Sequence, residues 1–103
     1  MIKIIYGNVN ADGSIKSGEG FDVVHDKTGQ YTIVFGAHFT SVPAVVTLQN
    51  YPGWDDFHSD GGCTFDNTVL IAVNVEKCKV KTGDAEGKGN ACDRNFTFIA
   101  IGD

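Results

Sequence analysis

Proline occurs twice, methionine once and arginine once in the 103 residues, and no apolar run approaches the roughly 18 residues of a membrane-crossing helix. Membrane insertion is therefore not expected. The three cysteines are too few for a small scaffold built on disulfides. Basic charge is also in deficit, with 8 Lys and Arg against 13 Asp and Glu and a net charge of −5. That balance argues against a nucleic-acid partner, which calls for a basic surface. The opening Met1-Ile2-Lys3-Ile4-Ile5-Tyr6 reaches Gly7-Asn8 without the apolar segment and cleavage site of a signal peptide. No ten-residue stretch free of glycine shows helical spacing, so no helix is expected.

Glycine (13) and phenylalanine (7) are abundant instead, a combination that favours short strands and tight turns. Phe21, Val23 and His25 share one parity, and Tyr31, Ile33 and Phe35 follow after Lys27-Thr28-Gly29-Gln30, which predicts a β-hairpin. Val42, Ala44, Val46 and Leu48 form the next inward set, then Val69, Ile71, Val73 and Val75. In Lys77-Cys78-Lys79-Val80-Lys81 the three lysines must face water while Cys78 and Val80 face inward. Phe96, Phe98 and Ala100 give the last strand its core face. Turn signals separate these segments, and no linker or internal repeat divides residues 1–103. The expectation is one all-β domain, a single antiparallel β-sandwich of six or seven short strands.

Val24, Val34, Val45, Leu70 and Ile99 lie on the parity opposite the assigned core. Such a set suggests a second covered surface, a subunit interface. The alternative is a register that slips at bulges.

Three segments then carry a family resemblance: Gly18-Glu19-Gly20-Phe21-Asp22-Val23, Thr28-Gly29-Gln30-Tyr31-Thr32-Ile33-Val34-Phe35, and Phe39-Thr40-Ser41-Val42-Pro43-Ala44-Val45-Val46. With the closing Asp93-Arg94-Asn95-Phe96-Thr97-Phe98-Ile99-Ala100-Ile101-Gly102, they resemble a small β-sandwich module of phage tail-fibre tips and related bacterial proteins. The order of strands is also similar to that of H-type lectins, six-stranded sandwiches that trimerise and bind N-acetylgalactosamine-like sugars. The resemblance covers most of the chain, and its motifs are largely structural. It implies a homotrimer, a glycan or cell-surface ligand, and a virion or extracellular setting. The Asn50–Gly62 segment and the cysteines flanking the final hairpin have no counterpart in it.

Enzymatic signatures are missing: there is no Gly-x-Ser-x-Gly elbow, His-Glu-x-x-His pair or phosphate-binding loop. A non-enzyme with no cofactor is expected. Trp54-Asp55-Asp56-Phe57-His58-Ser59-Asp60 gathers three carboxylates and an imidazole that could serve Ca²⁺ or Zn²⁺. The spacing is not that of an EF-hand, and the segment reads better as a solvated loop whose Asp side chains cap turns. Cys78 and Cys92 stand at the two ends of a hairpin around Gly83–Gly89 and are expected to form a disulfide, with two free buried thiols as the alternative. Asn95-Phe96-Thr97 matches a glycosylation acceptor but lies inside a strand and is taken as accidental.

The remaining constellation is aromatic and polar. Sugars offer apolar C–H faces and hydroxyl rims, which rings and polar side chains can cover. Trp54, or Tyr51 if Trp54 is buried, is expected to stack on a sugar, with Asp56 and His58 bonding its hydroxyls and Asp55, Asp60 and Arg94 as additions. The structural alternative is that Trp54 and Phe57 fold back as a plug over one end of the sandwich.

Overall fold

The computed structural model describes residues 1–84 and 90–103. Among them are eight strands and no helix: β1 (Lys3–Val9), β2 (Ile15–Gly18), β3 (Phe21–Lys27), β4 (Gln30–Phe35), β5 (Ala44–Asn50), β6 (Asn67–Val73), β7 (Lys77–Gly83) and β8 (Asn95–Gly102). They form two four-stranded antiparallel sheets, ordered β2-β1-β8-β5 and β3-β4-β7-β6. The all-β, sandwich-like class is as the alternation predicts. The strand count exceeds the expected six or seven because β1, with apolar residues on both parities, and the short exposed β2 carry no clean alternation. The expected turn around Gly83–Gly89 lies largely outside the described residues.

The core fills the space between the sheets. Val9, Phe96, Phe98 and Ala100 from one sheet meet Tyr31, Ile33, Cys78 and Val80 from the other, each 1% exposed or less. Each large side chain so buried stabilises the fold by about 1.5–3 kcal/mol. The rings meet edge-on, Phe21 against Phe98 at 4.8 Å and Phe35 against Phe39 at 5.1 Å between centroids. Gly7 makes the first contact possible, because a Cβ there would lie 2.3 Å from the Phe21 ring. Gly29 closes the β3–β4 turn with φ +68°, as that turn requires.

Two registers depart from the expectation. On β5, Val45, Thr47 and Gln49 face inward and Ala44, Val46 and Leu48 face out. Phe98 and Phe96 stand opposite Thr47 and Gln49 and fill the interior there, so modest side chains suffice on β5. Gln49 is also needed inside: its amide donates to the carbonyls of Asn67 and Gly83 at 2.8 and 2.9 Å. On β6 a bulge leaves Ile71 unpaired between Leu70 and Ala72. Thr68, Leu70 and Val73 therefore face the core, while Val69 and Ile71 are about half exposed. Val45 and Leu70 are thus partners of the core, whereas Val24, Val34 and Ile99 remain on outer faces.

The expected Cys78–Cys92 disulfide is absent: Cys63, Cys78 and Cys92 are free thiols. Cys78 sits between Ile33 and Val73 in mid-sheet. Cys92 lies beside Thr82, donating its N–H to the Thr82 carbonyl at 3.1 Å. Thr82 is four residues beyond Cys78 along β7, about 13 Å by strand rise, against the roughly 7 Å limit for bridging.

Burial pushes the Cys78 thiol up to about 12. At pH 8 a thiolate-selective disulfide reagent should label exposed Cys63 in the native chain and reach Cys78 only on unfolding. Three thiols should then titrate in denaturant without reductant. A count of one would restore the bridge.

Candidate functional site

One pole of the sandwich gathers the β1–β2 turn, the β3–β4 turn, the 51–66 loop and the segment leading into β8. Met1 and Asp103 lie together at the other pole, the terminal amine 3.9 Å from the Asp103 carboxylate. Strand direction dictates this arrangement. β1 runs towards the loop pole while β8 starts there, and Val9 pairs with Phe96 at that end as Lys3 pairs with Gly102 at the other.

Arg94 is the centre of the pole. Its guanidinium lies 4.5 Å over the Tyr51 ring and 3.8 and 3.9 Å from the carboxylates of Asp66 and Asp84. Its Nε donates to the Cys92 sulfur at 3.2 Å, and Nη1 reaches Gln49 Oε1 at 3.5 Å. The guanidinium is four-fifths buried, with side-chain exposure of 19%, so these contacts are only partly screened by water. An open cleft of about 510 Å³ lies against this group, lined by Tyr51, Gly62, Cys63, Phe65, Asp66, Asp84 and Arg94. Phe65 is 79% exposed and Tyr51 44%. Gly61 and Gly62 pass so close to the Tyr51 ring that a Cβ on either would stand 3.0 and 3.2 Å from it. Tyr51 is thereby held, and Phe65 is the free ring of the cleft.

Comparison with known protein families, with curated proteins and with solved structures finds no match to the chain. Any functional argument therefore stands on the chain's own geometry.

Of the residues singled out from sequence, Tyr51 and Arg94 come together in the cleft. Trp54 turns away: half-buried, it donates its indole N–H to Asn10 Oδ1 at 2.9 Å and ties the loop to the β1–β2 turn. Asp55, Asp56, His58 and Asp60 are exposed along the loop and do not line the cleft. Phe57 is 92% exposed and plugs nothing. Sequence reasoning missed Phe65, Asp66 and Asp84. Arg94 was the available signal, since a lone arginine at the start of a strand requires carboxylates to receive it. Among the described residues no three His, Cys, Asp or Glu side chains converge as metal ligands.

A second polar group at the same pole was also missed. Asp93 Oδ1 accepts from the Gly29 N–H at 2.6 Å and from His25 Nε2 at 2.9 Å, while the Tyr31 hydroxyl lies 3.4 Å away and donates to the Ala11 carbonyl at 2.6 Å. The His25 ring stacks on Tyr31 at 4.7 Å, nearly parallel. Desolvation raises the Asp93 carboxyl, but the bonds from Gly29, His25 and Tyr31 outweigh it and leave the carboxyl below its ordinary value. Burial and the Asp93 charge push the Tyr31 phenol up to about 12.

These shifts fix the sign of the pH dependence. A carboxyl lowered by folding stabilises above its ordinary value of 3.8 and loses that contribution as pH falls through the lower folded value. A phenol raised by folding stabilises below pH 10 and loses its contribution as pH rises towards about 12. Thermal melts should show Asp93→Asn less stable than the native chain at neutral pH, with the two curves converging below pH 3.8. A constant gap across that range would remove Asp93 from the acid transition.

Proposed function

We propose that the chain is a non-catalytic carbohydrate-recognition module whose site is the Tyr51–Phe65 cleft around Arg94. The observation that carries the reading is the exposed Phe65 ring beside the largely buried Arg94 side chain and two carboxylates in an open cleft. An aromatic ring can take the apolar C–H face of a pyranose, while Arg94, Asp66 and Asp84 offer donors and acceptors to its hydroxyl rim. The location suits the role, because loops on a rigid sandwich can carry recognition without disturbing its core. The pole lies opposite the end of the sandwich where Met1 and Asp103 meet.

A single shallow site of this kind binds weakly, near millimolar, since it buries little area and displaces ordered water. Multivalency is the remedy, and the assembly we propose is the homotrimer that the resemblance to fibre-tip modules and H-type lectins implies. Simultaneous binding by several copies raises apparent affinity about a hundredfold or more on a dense surface.

A second reading, a tip domain that registers a fibre without binding a ligand, is favoured by one observation. Arg94 already holds Tyr51, Cys92 and Gln49, which is how a purely structural pin would look.

Phe65→Ala decides between them. On a glycan array the substitution should lower retention about tenfold or more, the scale of one lost ring contact plus its displaced water. The thermal midpoint should stay within a few degrees, because Phe65 is exposed. Phe57→Ala, on the loop but outside the cleft, should retain binding. A native chain that binds no glycan would leave the structural reading, and a Phe65→Ala chain that binds as well as native would remove this cleft as the site.

A further inference from the structure

The two outer faces of the sandwich differ in kind. On the β3-β4-β7-β6 sheet each outward row across the strands carries charge: Asp22–Val34–Lys77, Val24–Thr32–Lys79 and Lys27–Gln30–Lys81. That is an ordinary wetted surface. On the other sheet the outward rows are Ile4–Ile101–Ala44, Tyr6–Ile99–Val46 and Asn8–Thr97–Leu48, with no charged side chain in any of them. Six large side chains there are between 39% and 70% exposed. β5, the edge strand, is equally uncharged over Ala44–Asn50, so no lysine or aspartate interrupts the face at that margin.

We infer that this face of β1, β8 and β5 docks a second copy of the same chain. The argument is one of area and of charge. A standard interface removes about 800 Å² from each partner, of which roughly 450–500 Å² is apolar. Fully burying an aliphatic side chain removes about 60–120 Å² of apolar surface, so the half-exposed rows with the adjoining Ile2 offer on the order of 400 Å². That approaches what one partner must contribute and lies within the roughly 300–600 Å² of the largest patch on a monomer, which is often functional. Charge narrows the occupant. A chain of net −5 that meets an identical chain is repelled on balance. The rows of β1, β8 and β5 hold no charge, with Lys16 and Glu19 only along the β2 side, so repulsion is least there. An apolar patch can meet the matching rows of neighbouring copies around a rotation axis. Strands on this face run from the chain ends to the loop pole, so copies packed side by side around an axis along the strands present their clefts in one direction.

The inference rests on the oligomer part of the reading above and needs no glycan, so a mass measurement tests it separately from ligand binding. Sedimentation equilibrium at micromolar concentration should give a multiple of the 11.0 kDa chain mass. The double substitution Val46→Lys with Ile99→Lys should return the mass to one chain while the β-sheet circular dichroism is kept, because both sites are exposed in the single chain. Val24→Lys with Val34→Lys, on the charged sheet, should leave the assembly intact. A native mass of 11.0 kDa overturns the inference. So does an assembly that survives lysines at positions 46 and 99 but falls apart with lysines at 24 and 34. If the face variant fails to fold, Leu48→Asn and Tyr6→Asn repeat the test with a milder change, and a mass unaltered by both counts against the interface.

Discussion

Three consecutive side chains leading into β8, Asp93 to Asn95, hold the loop pole, and each serves a different neighbour. Asp93 bonds the β3–β4 turn through Gly29 and His25. Arg94 reaches Tyr51, Gln49 and the carboxylates of Asp66 and Asp84. Asn95 accepts from the Ala11 N–H at 2.8 Å and fixes the β1–β2 turn. The cleft exists because this short segment anchors both of its walls. A substitution in it changes several loops together, and effects measured there will not add.

The core reaches the same pole through Tyr31. It packs on Phe96 at 5.0 Å and brings the hydrophobic interior up to its own hydroxyl, where Ala11 and Asp93 take over. Buried phenols keep their hydroxyls bonded, and here the bond falls at the boundary between core and loops. The ring thus connects the packing of both sheets to the loop geometry. Trp54 does the same from outside, its indole covering the β1–β2 turn and bonding Asn10.

Much of the fold was legible because period-two alternation is a strong signal where one face is polar. The three lysines of β7 and the Phe-x-Phe-x-Ala of β8 left one register each. β5 misled for a physical reason. Its outward set, Ala44, Val46 and Leu48, is more apolar than its inward Val45, Thr47 and Gln49, so hydrophobicity alone points the wrong way. β6 misled through its bulge at Ile71, which no residue type announces. β1 escaped notice because Ile4 and Ile5 put apolar residues on both parities, the pattern of a strand covered on both sides. At the site, Tyr51 and Arg94 were readable as a ring and a cation, but the carboxylates meeting Arg94 come from residues 66 and 84. That pairing is set by tertiary path, not by spacing. The cysteines were misjudged for the same reason: a hairpin symmetric about its turn would face them, whereas Cys92 falls beside Thr82.

The pairing of the first long strand with the last has a consequence for how the chain acquires its shape. Lys3 is bonded into register with Gly102, so the centre of one sheet joins residues from the two extremes of the sequence. Contacts of such separation are slow to form, because a long loop must close before they return any stabilisation. The β3-β4-β7-β6 sheet involves shorter separations and can close first. During synthesis, β1 must therefore wait with an open edge until β8 emerges, its Ile4 and Tyr6 facing solvent alongside an unfilled core. A chain cut short before β8 would lose the strand that pairs with both β1 and β5 in the middle of the sheet.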